Sequence, residues 1–520
     1  MQGILGLDCQ ALLLQRPGSY TRTLATCYSI QTVRRRWPSI LRPSPESKSL
    51  SGTVNSARIA KINDRSSWSP QPNPRNQTLK IPALGARMTR ELDKIGPGFR
   101  KIMGNMGWLM VDRVVRMGMG LFVGVWVARY LGPVQFGSLN FALAFVSLFG
   151  VVTSLGLEGI VVREVLHNAH DTHEILGTTL VLRSGGALLA VGLSIATLRL
   201  IQPHDKQALV LVSILSLTLV FQAFDTIDSF FQSQVRSKIT VWAKNLAFLI
   251  FAAVRVWLIC AKASLWAFAA ASTGEIALGA IALVVGYRLS GGRMSTWHSS
   301  KKRAVMLLKQ SWPIIFSGMA IMVYMRLDMV MLKMMKGDFA VGLYSAATRI
   351  SEVWYFIPVA IVSSVSPAIM RIKNDPELLN ERMRKLFSLM TMTAFLIGSI
   401  MALTSHTIVR ILYSTSYSGS APVLAVHVWA SVFVFLGVAQ SPWNITQNLL
   451  KLSLYWTVLG GIINIAMNLY LIPRYSAMGA AISTVVSYAV AGVFANILNV
   501  RTRPIFYMQM RSFIPYRFWV

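Results

Sequence analysis

Charged side chains interrupt several long apolar stretches of this sequence, and these residues indicate its chemistry most directly. A charge at the centre of a membrane-spanning helix costs roughly 3 kcal/mol on insertion scales, so it is expected to face a cavity or a partner charge. Arginine suits an anionic ligand, because its planar guanidinium can donate two hydrogen bonds to one phosphate. The charged residues within apolar segments are Asp112, Arg113, Arg116, Arg183, Lys244, Arg255, Glu275, Arg326, Asp328, Arg349 and Glu352.

Two sets of candidate site residues follow from this pattern. We predict that five arginines line a cationic cleft that binds an anion: Arg113, Arg116, Arg255, Arg326 and Arg349. Six acidic residues are candidates for ion coupling or for structural ion pairs: Asp112, Asp225, Asp228, Glu275, Asp328 and Glu352. No HExxH, paired-cysteine or histidine spacing typical of a metal site occurs, so we predict neither a metal site nor a cofactor.

A structural role for the same charges is the alternative, and the spacing leaves it open. Asp112 and Arg116 are four residues apart, so both lie on one helix face and can form an ion pair. Arg349 and Glu352, three residues apart, can do the same. Arg113, near its helix start, can instead extend to the membrane interface. Asp225 and Asp228, near the end of an apolar segment, can be interfacial acids.

The composition favours lipid as the solvent. Of 520 residues, 54% are hydrophobic and only 14% are charged, whereas soluble proteins carry about 25% charged residues. The net charge of +31 would suggest nucleic acid in a soluble protein. Here the basic residues outside the N-terminal segment sit mainly between apolar runs, where they orient helices in the membrane, so we predict no nucleic-acid partner.

Twelve apolar segments are long enough to span a bilayer, which requires about 20 residues each. The N-terminus, the loops after segments 2, 4, 6, 8 and 10 and the C-terminal tail lie on one side, where the loops after segments 4, 6 and 8 carry two, six and five Lys and Arg residues and the tail carries four. The odd-numbered loops have one or two. The positive-inside rule therefore predicts that both termini are cytoplasmic. Pro358 and Pro367 are expected to kink the eighth segment. The predicted spans are 108–129, 138–161, 177–199, 208–230, 241–260, 264–287, 312–334, 340–369, 387–410, 421–441, 455–473 and 477–499.

An internal repeat divides these segments into two halves. Gly132 and Gly137 follow the first segment, and Gly337 and Gly342 follow the seventh at the same offset of 205 residues. Six helices in each half is an even number, so the two repeats are parallel and related by an axis along the membrane normal. This predicts bundles at 88–290 and 291–500, a basic cytoplasmic tail at 501–520, and a cleft between the bundles.

Residues 1–87 differ in composition from the rest of the chain. They contain 13 Lys and Arg against 3 Asp and Glu, with many Ser, Pro and Asn residues. Such a segment buries too little apolar area to offset its chain entropy, so we expect disorder. An Arg- and Ser-rich, acid-poor start resembles an organellar transit peptide. The alternative that we favour is a translation start at Met88.

Four segments, taken in order, resemble the polysaccharide (oligosaccharide) flippase family of the multidrug/oligosaccharidyl-lipid/polysaccharide exporter superfamily. They are ARYLGPVQFG (128–137), VGLYSAATRISEVWYFIP (341–358), ILYSTSYSGSAPVL (411–424) and YSAMGAAISTVVSY (475–488). The resemblance implies an all-α integral membrane protein whose two six-helix bundles form a V around a central cavity and work by alternating access. It implies transport of an undecaprenyl-diphosphate-linked oligosaccharide across a bacterial inner membrane for surface polysaccharide synthesis.

Several functional alternatives remain within this framework. A cation-coupled exporter or a peptidoglycan-precursor flippase would belong to the same superfamily, and a membrane polymerase of lipid-linked glycans is an enzymatic alternative. We predict no enzyme, because the external loops are short and STSYSGS (414–420) carries no charge. No GxxxxGK[ST] motif for ATP occurs. The implied partners are the polyprenyl-diphosphate-linked glycan and membrane lipid, together with a polysaccharide polymerase and chain-length proteins.

Overall fold

The computed structural model describes residues 97–514, and the side chains from Arg116 onward. The predicted tail at 1–87, the proposed start at Met88, and residues 515–520 lie outside this range. The first half of the described chain is helical throughout, with short connections. Its helices are α1 (Pro97–Ser154), α2 (Glu158–His167), α3 (Thr172–Ile201), α4 (Lys206–Gln222), α5 (Asp225–Ser233), α6 (Ser237–Cys260) and α7 (Leu265–Leu289).

The second half follows a linker at 290–300 and is helical as well. It begins with a helix of 52 residues, and a short helix ends the described chain. Its helices are α8 (Lys301–Glu352), α9 (Phe356–Arg371), α10 (Pro376–Leu403), α11 (Ser405–Tyr413), α12 (Ser420–His427), α13 (Ala430–Ala439), α14 (Ser441–Thr446), α15 (Leu450–Gly492) and α16 (Arg503–Ser512).

Backbone breaks convert the longest helices into pairs of spanning segments. Nine stretches of the described chain are long and apolar enough to cross a membrane. Three of them contain a residue with non-helical backbone angles: Gly132 in α1, Gly337 in α8 and Ser476 in α15. Dividing each at its break gives twelve segments in the described residues. The predicted all-α membrane fold is therefore confirmed.

The helix boundaries differ from the predicted spans at several points. The fourth span is interrupted between α4 and α5, the ninth ends at Leu403 instead of residue 410, and α12 to α14 replace one continuous tenth helix. The eighth is interrupted at Val353–Tyr355, four residues before Pro358. A proline ring clashes with the carbonyl four residues upstream, so the break falls one turn earlier than the proline itself. Pro367 lies inside α9 without ending it.

The glycines of the predicted repeat have matching geometry in both halves. Gly132 has φ 70° and ψ 171°, and Gly337 has φ 77° and ψ −176°. Residues other than glycine rarely adopt these backbone angles. Gly137 and Gly342 make reciprocal contacts. A Cβ at Gly137 would overlap the carbonyl oxygen of Asp338, and a Cβ at Gly342 would overlap that of Pro133. The two halves thus touch backbone to backbone where the repeats meet.

A cluster that we call the Lys333 end surrounds these glycines. Lys333 is 8% exposed, and its Nζ lies 2.9 Å from Asp205 Oδ2 of the first half and 2.5 Å from Asp338 Oδ2. The Tyr417 hydroxyl donates to the Ala128 carbonyl over 2.8 Å, which again joins the halves. The positive-inside pattern predicts that this end is the outer face of the membrane.

A second cluster, the Arg303 end, joins the halves where α8 begins. Arg303 lies 2.5 Å from Asp171 Oδ2 and 3.3 Å from Glu174 Oε1. Nearby, Arg163 Nη2 donates to Gln310 Oε1 over 2.5 Å. Arg303 and Lys333 are thirty residues apart on α8. At 1.5 Å per residue they are about 45 Å apart, enough to cross a bilayer core of about 30 Å.

Candidate functional site

Two neighbouring cavities lie within the helical bundle between these ends. The first has a volume of about 380 Å³ and the second about 460 Å³, both within the range of roughly 300–1,000 Å³ typical of small-molecule sites. Gly150, Gln222, Glu275 and Ile276 line both cavities, so the two adjoin. The first cavity is also lined by Asn140, Ser147, Arg255, Ser272 and Arg349. The second is also lined by Arg116, Thr153, Glu158, Arg183, Asp225, Asp228 and Lys244.

The first cavity contains two arginines in different electrostatic situations. Arg255 Nη2 lies 2.8 Å from Glu275 Oε2, so its charge is largely neutralised. Arg349 extends from α8 across Gly124, and its guanidinium carbon stands 5.6 Å from the centre of the Phe136 ring. None of the ion pairs of the described residues involves Arg349. It is the cation in this cavity that is best placed to receive an anionic ligand.

The second cavity contains a close mixture of acidic and basic groups. Lys244 Nζ lies 2.9 Å from Asp225 Oδ1 and 2.9 Å from Asp228 Oδ2, and it bridges the two carboxylates. Arg116 Nε donates to Asn245 Oδ1 over 2.8 Å. Arg183 is 3% exposed, and its Nε has no hydrogen-bond partner within the described part of the chain. The sequence reaches this arrangement by placing one or two charges on each of α1, α2, α3, α5, α6 and α7.

The remaining predicted site residues lie elsewhere. Arg326 is half-buried on α8 and lines neither cavity. Asp328 is buried and accepts hydrogen bonds from the Tyr344 hydroxyl and, over 2.7 Å, from the Met329 amide. Glu352 is half-buried, and the ion pair with Arg349 that their spacing allows is not formed. The side chains of Asp112 and Arg113 lie outside the described residues.

Four residues with a structural role here are in neither set of candidate site residues: Arg183, Lys244 and Glu158, which line the second cavity, and Lys333. Arg183 and Lys244 carried a signal, because each is a charge in an apolar segment, but nothing in the sequence ranked them above the other charges. Glu158 lies in the last turn of the predicted span 138–161 and looks like an ordinary interfacial acid. Lys333 lies in the last turn of a predicted span and looks like an interfacial lysine, because its partner Asp205 is 128 residues away.

The fold and these internal cavities define a polytopic membrane transporter. Residues 102–373 match the family described as polysaccharide biosynthesis protein, and residues 313–470 match the MatE family. The first match covers more than half of the chain, so the chain belongs to the polysaccharide biosynthesis protein family. The resemblance predicted from the four sequence segments is thereby confirmed. A comparison with curated proteins found no match.

Solved structures of transporters share the fold. The structure of the lipid II flippase MurJ in an inward closed conformation superposes with a TM-score of 0.61 at 14% identity, covering 78% of this chain and 90% of that one. An inward-facing multidrug resistance MATE family transporter of the MOP superfamily gives 0.60 at 13% identity, covering 79% and 100%. A MOP superfamily transporter from Pyrococcus furiosus gives 0.53 at 13% identity, covering 79% and 96%. At these identities the likeness concerns the fold.

Proposed function

We propose that this protein carries a polyprenyl-diphosphate-linked oligosaccharide across a bacterial cytoplasmic membrane for surface polysaccharide synthesis. The observation that carries the proposal is Arg349, a cation in an internal cavity that no described carboxylate neutralises. A diphosphate crossing the bilayer needs such a group, because an unpaired charge in an apolar medium is strongly disfavoured. Membership of the polysaccharide biosynthesis protein family supports a glycan-bearing substrate.

The geometry favours transport over catalysis. The cavities lie between two ends at which the halves of the chain meet, and this arrangement suits alternating access of an enclosed site to the two faces. Arg255 and Glu275 line the same cavity as Arg349, and their mutual ion pair makes them polar without adding net charge. Arg326 lines neither cavity, so Arg349 is the first of the predicted arginines to test.

Reconstitution into vesicles with a fluorescent polyprenyl-diphosphate oligosaccharide tests the proposal. Wild-type protein should move the lipid between leaflets, and Arg349→Gln should slow it by about tenfold or more, since hydrogen bonds to charged groups contribute about 1.5–3 kcal/mol. Arg382→Gln is the matched control, because Arg382 is exposed on α10 and lines neither cavity. Failure of the wild type to move the lipid under any ion gradient would sink the proposal.

A lipid II-type peptidoglycan precursor is the second candidate substrate. The structural likeness to a lipid II flippase favours it, although the low sequence identity limits that likeness to the fold. The two substrates share the polyprenyl diphosphate and differ in the headgroup, which carries a peptide in the precursor. The same vesicles, loaded with either lipid, decide between them by relative rate.

The membrane orientation and the coupling ion belong to this proposal. We place the Arg303 end and both termini in the cytoplasm on the basis of the loop charges. Asp328 is the acid best suited to ion coupling, because the groups that contact its carboxylate are neutral donors, whereas Asp225, Asp228 and Glu275 are held by basic residues. A polymerase and chain-length proteins would act on the delivered glycan.

A further inference from the structure

The two cavities differ in charge, although they adjoin. Among the described residues, the first cavity is lined by two arginines and one glutamate, Arg255, Arg349 and Glu275. The second is lined by three basic residues, Arg116, Arg183 and Lys244, and by four carboxylates, which are those of Glu158, Asp225, Asp228 and Glu275. An anion is therefore attracted to the first cavity and gains no net attraction in the second.

The second cavity nevertheless has the groups that a polar ligand needs. Arg183 is buried with an Nε that no described residue accepts from, and the buried Thr153 hydroxyl also has no partner. An unsatisfied buried polar group costs about 1–3 kcal/mol, so a ligand that supplies hydrogen bonds to both would stabilise this arrangement. Carboxylates around them accept hydrogen bonds, and the guanidinium donates them.

Sugar hydroxyls match this mixture of donors and acceptors. Each hydroxyl donates one hydrogen bond and accepts others, so it can satisfy a carboxylate and a guanidinium at the same time. Glu275 is paired with Arg255, so three carboxylates balance three bases in this cavity, and a uronic acid would add a negative charge that no base is left to compensate. An amino sugar would bring a cation that can pair with the carboxylates.

We propose that the second cavity is the glycan subsite of the transporter and that it takes neutral or amino sugars in preference to uronic acids, while the diphosphate occupies the first cavity. The inference rests on the proposed function and specifies its substrate class. Arg183 and the Lys244-bridged carboxylates contact the sugar, and Arg349 contacts the phosphates. The cavity lies among helix ends on the predicted cytoplasmic side, where a newly made glycan arrives.

Binding of small ligands to the purified full-length chain tests whether the sugar and the diphosphate occupy different cavities. Three probes are titrated calorimetrically. They are the neutral disaccharide N,N′-diacetylchitobiose, the acidic disaccharide digalacturonate, and inorganic pyrophosphate. Arg183→Gln should weaken chitobiose binding about tenfold and change pyrophosphate binding less than about twofold, and Arg349→Gln should do the reverse. Wild-type protein should bind chitobiose at least about tenfold more tightly than digalacturonate, the scale of one unfavourable charge contact.

Several outcomes would overturn the inference. These are no measurable chitobiose binding to the wild type, tighter binding of digalacturonate, or equal loss of both probes in Arg183→Gln. A merely structural charge cluster predicts lower thermal stability in that variant with unchanged selectivity. If Arg183→Gln does not fold, Thr153→Val removes the other unpartnered group without altering charge and should weaken chitobiose binding alone.

A transport measurement separates this inference from the proposed function. Vesicles receive either polyprenyl diphosphate chitobiose or polyprenyl diphosphate without sugar. If Arg183→Gln slows transport of the sugar-bearing lipid alone, both the glycan subsite and the flippase function are supported. Unchanged transport of both lipids by that variant overturns the glycan subsite and leaves the flippase intact. If the wild type moves neither lipid but still binds chitobiose through Arg183, the sugar site stands and the flippase proposal fails.

Discussion

At the Lys333 end the two halves meet backbone to backbone, whereas at the Arg303 end helix α8 reaches the first half through side chains. Lys333 is 8% exposed and its partners Asp205 and Asp338 are 27% and 21% exposed. Arg303 is 15% exposed and its partners Asp171 and Glu174 are 48% and 26% exposed, so the Arg303 pair is the more accessible to water. Exposed ion pairs contribute about 0–1 kcal/mol, and buried pairs cost several kcal/mol to break. We therefore predict that the Arg303 end separates more easily than the Lys333 end.

The linker qualifies this comparison without reversing it. A Cβ at Gly177 would overlap backbone atoms of His298, so the linker itself lies tightly on α3 near the Arg303 end. The linker is joined covalently to both halves and can stay on α3 while α8 moves away. Opening at this end then requires the loss of the Arg303 and Arg163 contacts and of apolar contacts of α8.

The largest effect is expected from Gly137→Ala. Its methyl group would overlap the Asp338 carbonyl, and a backbone atom cannot rotate away as a side chain can. Overpacking costs typically about 1–3 kcal/mol, so closure of the Lys333 end should weaken by up to about a hundredfold and transport should fall accordingly. The measurement uses the substitution Ser147→Cys in the first cavity as a reporter. A membrane-impermeant maleimide added on the side of the Lys333 end labels this cysteine when that end opens.

The matched control for this change is Gly192→Ala on α3. No atom lies within 4 Å of the position that its new methyl group would occupy, so it should leave labelling and transport unchanged. Normal transport and unchanged labelling in Gly137→Ala would show that the backbone contact plays no part in closure.

A somewhat smaller effect is expected from Lys333→Met. The substitution keeps the apolar stem but leaves Asp205 and Asp338 facing each other without their cation. These carboxylates are partly solvated, so we expect a cost of about 1–2 kcal/mol, between the values for exposed and buried pairs. Maleimide labelling from the Lys333 side should rise about tenfold. Lys336→Met, an exposed lysine three residues on, is the control, and equal effects of the two changes would contradict the assignment.

The pH dependence of stability tests the ion pair of Lys333 with Asp205 through the carboxylate of Asp205. Burial raises the pKa of Asp205, but the Ala208 amide and Lys333 outweigh it and lower that pKa below 3.8. A carboxyl with a lowered pKa in the folded state contributes stability that is full above 3.8 and is lost as the pH falls through the lower value. Asp205→Asn keeps an N-cap for α4 and removes the charge.

The thermal unfolding midpoint in detergent provides this measurement. Asp205→Asn should lower it at pH 5 to 8 by the equivalent of about 0.5–1 kcal/mol, and the difference from the wild type should vanish as the pH drops below 3.8. A difference that instead grew on acidification would mean that the pKa of Asp205 is raised.

The sequence predicts the helices and the repeat of this protein better than the contacts of its charged side chains. Segment length and apolar content, which are local signals, were sufficient to predict twelve spans, and the glycines of the 205-residue repeat marked two of the three helix breaks, those at Gly132 and Gly337. Arg255, Glu275 and Arg349 were selected as charges in apolar helices, and all three line the first cavity. The same rule selected Arg326, which lines neither cavity.

The positions of Arg326, Arg349 and Lys333 could not be predicted from the sequence for a common physical reason. A charge in a helix shows that a partner or cavity exists, but its direction depends on how neighbouring helices are rotated, and each residue turns the helix by about 100°. Arg349 and Glu352 have suitable spacing, yet Arg349 turns toward Phe136. The bond of Lys333 to Asp205 requires the two halves to be assembled, so no local pattern contains it.

The smallest effect is expected from Arg303→Gln at the opposite end. The Asp171 carboxylate of this ion pair is 48% exposed, so loss of the pair should change labelling of the Ser147→Cys reporter from the Arg303 side by less than about threefold. Raising the salt concentration should produce a similar small increase in the wild type, because exposed charges are screened within about 10 Å at 0.1 M. Lys333→Met should be much less sensitive to salt. If Arg303→Gln opened its end as strongly as Lys333→Met opens the other, the two ends would be equally strong gates, and the easier opening inferred for the Arg303 end would have to be abandoned.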